Sequence, residues 1–151
     1  MTLVRIQESL LKALCGLDYL HSHGVPVLAE DEGNVVADWD SRFARTHIAV
    51  TVGAARFTPT SRDSRMVSGM AKIAVKVWEQ PSRNRVGQGL SGPTATEVAE
   101  ELACEAHLLP MGGGVLVFVD LGNLERVDDK TVTRTVTFET LAVLTGDDHG
   151  N

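Results

Sequence analysis

Candidate ligands and nucleophiles are few and scattered in this 151-residue chain. His21 and His23, two positions apart, suggest metal binding, but zinc takes at least three protein ligands and no third lies near them in sequence. Both fall at the end of a helix, where the dipole favours histidine without any metal. Glu30, Asp31, Glu32, Asp38 and Asp40 offer paired carboxylates for acid-base work or a divalent cation. Their spacing is not that of a calcium loop, and acidic residues at a helix start are favoured by the dipole alone. Cys104 and His107, three apart, merely share a helix face, and no Gly-x-Ser-x-Gly elbow presents a serine. Gly112-Gly113-Gly114 follows a helix and enters a strand, the reverse of a phosphate loop. The loop from Gly87 to Gly92 does open a helix at Thr94 to Thr96, but it lacks the Gly-Lys-Ser/Thr ending. With no catalytic constellation, the expectation is no enzyme, no metal and no cofactor.

Charge and composition narrow the partners. The net charge of −6 argues against broad attachment to nucleic acid or anionic membrane, which draws on clustered Lys and Arg. Aromatic residues are only 5%, too few for a base-stacking platform. The one local basic cluster is Arg83, Asn84 and Arg85, read as a loop at the end of a strand. It is either a solubilising loop or a contact for an acidic partner surface, including a second copy of the chain. Cys15 and Cys104, amid Leu and Ala, read as small buried hydrophobes. No signal peptide and no apolar run of roughly 18 residues is present, so the chain is expected to remain where it is made.

The elements that would position these residues follow from periodicity. Leu3, Ile6, Leu10, Leu14 and Leu17 form the stripe of a helix from Leu3 to Leu20, with Thr2 as N-cap. Val25 to Ala29 reads as a short strand, and Val35 to Ala44 as a second helix after the acidic turn. His47 to Ala54 alternates as a half-buried strand, and Thr58 to Asp63, with Pro59, reads as a loop. From Ala71 the period of two returns: Ile73, Val75 and Val77 share one face, Lys72, Ala74, Lys76 and Trp78 the other, until Pro81 ends pairing. Thr94-Ala95-Thr96-Glu97 matches a capping box, and Val98, Leu102, Ala106 and Leu109 form the stripe of the helix that follows, up to Pro110. Val115 to Val119 reads as an interior strand, Leu124 to Val127 stays extended, Asp128-Asp129-Lys130 reverses the chain, and Thr131 to Leu144 is a long strand with a threonine-rich face. The expected fold is one α+β domain over residues 1–145 with a polar tail at 146–151. Its order is α-β-α-β-β-α-β-β, giving a mixed, mainly antiparallel sheet of about five strands with helices packed on one face.

Lys72-Ile73-Ala74-Val75-Lys76-Val77-Trp78-Glu79-Gln80-Pro81, then Asn84-Arg85, Thr94 through Leu109, and the closing Val136-Thr137-Phe138-Glu139-Thr140 resemble small phage and prophage proteins of the tail-terminator or tail-completion (head-tail joining) kind. The likeness spans Leu3 to Leu144 in element order, and in residues the strand-Asn-Arg segment and the final strand. It implies a non-catalytic structural protein that forms a ring, commonly a hexamer, caps the tail tube and offers a surface to head-completion proteins. It also implies a place in the host cytoplasm and the virion tail. Contacts are then expected at Lys72, Lys76, Arg62, Arg65, Arg83, Asn84 and Arg85. The rival expectation is a small-molecule-binding protein or enzyme using the acidic turn 30–40 and the glycine loop before Thr94.

Overall fold

Two strands of 14 residues, β4 (Met66–Glu79) and β7 (Val132–Thr145), pair antiparallel over their whole length in the computed structural model. The model describes residues 2–30, 47–85, 93–111 and 114–145. Apart from Glu30, the expected acidic turn lies outside the described residues, as do the expected second helix, the glycine loop 87–92, Gly112-Gly113 and the tail 146–151. The predicted alternation of β4 holds: Ile73, Val75 and Val77 are fully buried, with Ile73 opposite Phe138 and Val75 opposite Val136. Each such side chain contributes roughly 1.5–3 kcal/mol on burial, enough to hold the register.

The remaining strands assemble on this pair. β2 (Ile48–Val52) lies antiparallel beside the second half of β4, and β1 (Val27–Ala29) lies parallel to β2. β3 (Arg56–Asp63) pairs with the first half of β4, and β5 (Val117–Leu121) and β6 (Glu125–Arg126) pair with β7. The sheet is mixed and mostly antiparallel, so the α+β class stands as expected, with seven strands instead of about five.

Three strand readings are corrected. Residues 58–63 are not a loop but most of β3; Pro59 fits because the strand is an edge, and a bulge follows between Pro59 and Ser61. β2 is buried at all five positions, not half-buried. The apolar run at Val115 to Val119 belongs to the sheet's edge, with both of those valines exposed, because an apolar run does not reveal how many neighbours a strand has.

Two helices cover one face. α1 (Leu3–Cys15) is capped by Thr2, whose Oγ1 accepts from Arg5 N–H at 3.3 Å, and it buries Ile6, Leu10 and Leu14. The helix predicted to reach Leu20 breaks after Cys15; α2 (Asp18–Ser22) resumes it and turns Leu20 into the core. After Gln80 the chain forms a helical turn, α3 (Pro81–Arg85), where a loop was expected. Pro81 suits the first helical position, where its missing N–H costs nothing. α4 (Ala95–Glu105) buries Ala95, Val98, Ala99 and Leu102 and ends short of the expected Leu109. Thr94 Oγ1 accepts from Glu97 N–H at 3.1 Å, the first half of the predicted capping box. The second half is changed: the Glu97 carboxylate takes the Thr94 hydroxyl instead. Cys15 and Cys104 are exposed, against expectation, because both fall on the outward side of their helices. No helix among the described residues is long and apolar enough to cross a membrane.

Two positions test this fold. A Cβ at Gly69 would collide with the Thr58 carbonyl oxygen where β3 crosses β4, so Gly69→Ala is expected to lose about 1–3 kcal/mol in urea unfolding; a loss within experimental error contradicts the close approach. At the reversal before β7, Asp128 Oδ1 accepts from the Lys130 and Thr131 N–H groups at 2.8 and 2.7 Å. The Lys130 bond above all holds its carboxyl below the usual range. A depressed folded value stabilises above the unfolded value and is lost as pH falls through the folded one. Asp128→Asn is therefore expected to show a smaller drop in Tm than the parent between neutral pH and about pH 2, and an equal drop contradicts it.

Candidate interaction surface

Alternation on β4 sends Lys72 and Lys76 to the face opposite the helices. Lys72 stands between Arg56 of β3 and Glu139 of β7; Lys76 stands between Thr51 of β2 and Thr135 of β7. The Lys76 Nζ lies 3.5 Å from Glu30 Oε1 and 5.7 Å from the centre of the Trp78 ring. Trp78 in turn donates its indole N–H to Thr51 Oγ1 at 2.8 Å. These side chains border an open concavity of about 460 Å³, lined among the described residues by Glu30, Gly53, Ala54, Arg56, Lys72, Ala74, Lys76 and Thr137. A half-exposed pair such as Lys76–Glu30 adds less than about 1 kcal/mol, so it leaves the lysine available to other anions. Among the described residues, Arg56 and Lys72 have no ion-pair partner.

The back of the sheet is not uniform. Ala49, Thr51, Trp78 and Thr133 are buried, so the polar face expected to meet water or a partner is closed at that end. Toward the β3–β4 turn it opens, and apolar side chains replace polar ones. Leu141 (62% exposed), Met66 (46%) and Val143 (40%) all face the same side, with Leu141 opposite Met70 and Val143 opposite Ser68. Arg62 and Arg65 flank the exposed turn between β3 and β4, where Ser64 takes a φ of 48°.

Arg83, Asn84 and Arg85, also expected as contacts, sit at the other end of β4, on α3. Fourteen residues at about 3.3 Å each separate the two ends by roughly 45 Å. Asn84 faces inward: its amide donates to Glu79 Oε2 at 2.9 Å and to the Pro93 carbonyl at 3.0 Å. Arg83 donates to Gln80 Oε1 at 2.8 Å. Glu79, only 2% exposed, also accepts from Ala95 N–H at 2.8 Å with Oε1, so it ties β4, α3 and the start of α4 together. A carboxylate at a helix N-terminus is favoured by the unpaired N–H groups there.

The other sequence candidates have local duties. His23 Nδ1 lies 2.8 Å from the Tyr19 carbonyl and its ring packs on Tyr19. His107 Nδ1 accepts from Phe118 N–H at 3.1 Å, not from Cys104. Thr96 Oγ1 accepts from Arg134 at 3.1 Å. No group of three or more His, Cys, Asp or Glu is placed to hold a metal among the described residues.

Two surface features escaped the sequence reading. Arg56 joins Lys72 only because β3 is a strand. Glu97, Glu101 and Glu105 line one side of α4 beside α2, a spacing of four that was legible but unused. There a hydrogen bond with Glu101 pushes the Glu105 carboxyl up, and burial followed by these glutamates pushes the Tyr19 hydroxyl up.

No family model matches this chain, and no curated protein matches it. A solved structure that carries only an identifier for a name aligns with 95% of this chain and 96% of its own, at a TM-score of 0.50 and 17% identity. At that identity the likeness shows the fold alone.

The Glu79 brace yields a direct test. Glu79→Ala leaves the Ala95 N–H without its acceptor and the Asn84 amide with only the Pro93 carbonyl, and is expected to cost about 3 kcal/mol. Glu79→Gln is expected to recover only part, because its new N–H₂ group meets a donor at Asn84. Equal stability of all three proteins in urea unfolding contradicts the assignment.

Proposed function

We propose that this chain is a structural, self-associating component of a phage or prophage tail, of the terminator or completion kind, which caps the tail tube and presents a docking surface to head-completion proteins. The observation that supports it most is the open half of the sheet's back, where Leu141, Met66 and Val143 stand exposed and Arg56, Lys72 and Glu139 follow farther along the same face. A contiguous apolar patch rimmed by charge is the usual mark of a surface that another protein covers. The motif resemblance in β4 and β7 supplies the class of partner: further copies of the chain, arranged as a ring such as a hexamer, and the tube beneath it.

A second reading, a small-molecule-binding protein, has one observation in its favour. The concavity beside Glu30 falls in the size range of ligand sites, roughly 300–1,000 Å³, and carries converging polar groups.

Light scattering behind a sizing column separates the two. The tail reading predicts a discrete ring-sized species, on its own at high concentration or once tail tubes are added. A monomer or dimer under both conditions contradicts it.

A further inference from the structure

On the open back of the sheet, β4 and β7 present their side chains in directly opposed pairs: Ser68 with Val143, Met70 with Leu141, and Lys72 with Glu139. Lys72 and Glu139 carry opposite charges, yet no salt bridge joins them. On the neighbouring strand, Arg56 beside Lys72 and Asp63 beside Met66 add one charge of each sign. The face is therefore balanced. A basic partner would meet Arg56 and Lys72, an acidic one Asp63 and Glu139, so neither is selected. What fits such a face is a surface with the same mixture in reversed order.

Its apolar part is wider than β4 and β7 alone. Val115 is exposed, and the burial of Leu116 between Val115 and Val117 sets both valines on the sheet's back by alternation. A Cβ at the adjoining Gly114 would lie 3.7 Å from Leu141 Cβ, so this segment runs close beside β7. From Met66 to Lys72 the open half extends about 23 Å along the strands, and its four rows cross about 19 Å. Beyond it, toward Trp78, the same side of the sheet is already buried.

We infer that the free chain pairs back to back with a second copy, about a two-fold axis that runs along the line between β4 and β7. Such an axis exchanges the members of every opposed pair. Lys72 of each copy then meets Glu139 of the other, Met70 meets Leu141, and Ser68 meets Val143. Packed sheets lie about 10 Å apart, a gap that a lysine and a glutamate reach across together. The apolar side chains leave water while the charges fix the register of one copy on the other. The footprint belongs with small, reversible contacts, so the pair forms at high concentration and opens readily. An isologous contact closes at two copies, so it goes beyond the tail reading without resting on it. It describes the chain before it meets a tube, and a tube that docks on the same face competes with the second copy.

Sedimentation velocity over a concentration series tests the pair. The unaltered chain is expected to show a monomer–dimer equilibrium. Lys72→Glu alone and Glu139→Lys alone are each expected to weaken it roughly 100-fold, because like charges then meet twice. Both substitutions in one chain are expected to restore the dimer. The two single variants, mixed in equal amounts, are expected to pair with each other, which misfolded chains would not do. A parent that stays monomeric, single variants that dimerise as the parent does, or a double variant that recovers nothing overturns the contact. A chain monomeric alone that forms a ring on tail tubes removes this contact and keeps the tail reading. A dimer that tubes leave unchanged keeps this contact and removes the tail reading.

Discussion

Full-length pairing of β4 with β7 is the constraint on which the rest depends. Side chains alternate with a period of two, so the register that sets Ile73 on Phe138 and Val75 on Val136 also decides where every polar neighbour goes. A slip of one residue in β4 would expose three buried aliphatic side chains, at roughly 1.5–3 kcal/mol each, and drive Lys72 and Lys76 into the core. The face that carries Lys72 and Lys76 is thus held in place by the core behind it. The buried carboxylate of Glu79 extends the same logic to the end of the strand, where it fixes α3 and the start of α4 against β4.

The strands run on past the best-buried part of that core, and the fold treats its edges and its faces differently there. β3 is blunted against edge pairing by Pro59, by the bulge after it and by Arg62 and Asp63. Beside β5, backbone groups are taken by the chain returning from α4: Leu116 N–H bonds to the Leu109 carbonyl and Phe118 N–H to His107. With β3 and β5 guarded in this way, the exposed apolar side chains of β4 and β7 offer a face, not an edge, to whatever meets them. A face-on contact is set by side-chain size and charge.

Much of this was legible in the sequence because it rests on local physics. The Thr2 and Thr94 caps, the alternation of β4, the stop at Pro81 and the turn at Asp128 each depend on residues within a few positions of one another. What failed depends on neighbours distant in sequence. Pro59 argues for a loop until the partner strand is known, and then it marks an edge. The valines from 115 to 119 look interior until the sheet order leaves them at the rim. Asn84 looked like part of a contact surface, and only the approach of Glu79 and Pro93 shows it turned inward. The pairing of Arg56 with Lys72 was hidden for the same reason.

If, as proposed, other protein subunits cover the open back of β4 and β7, the methionines there report on it directly. Met66 is exposed and Met70 lies on the same side of β4, while Met111 is buried in the core and serves as an internal reference. Mild peroxide converts accessible methionine to the sulfoxide, which mass spectrometry resolves by position. Met66 and Met70 are then expected to oxidise readily in the dilute chain and to become protected, relative to Met111, at high concentration or on added tail tubes. Unchanged oxidation of Met66 and Met70 in the assembled state would contradict it.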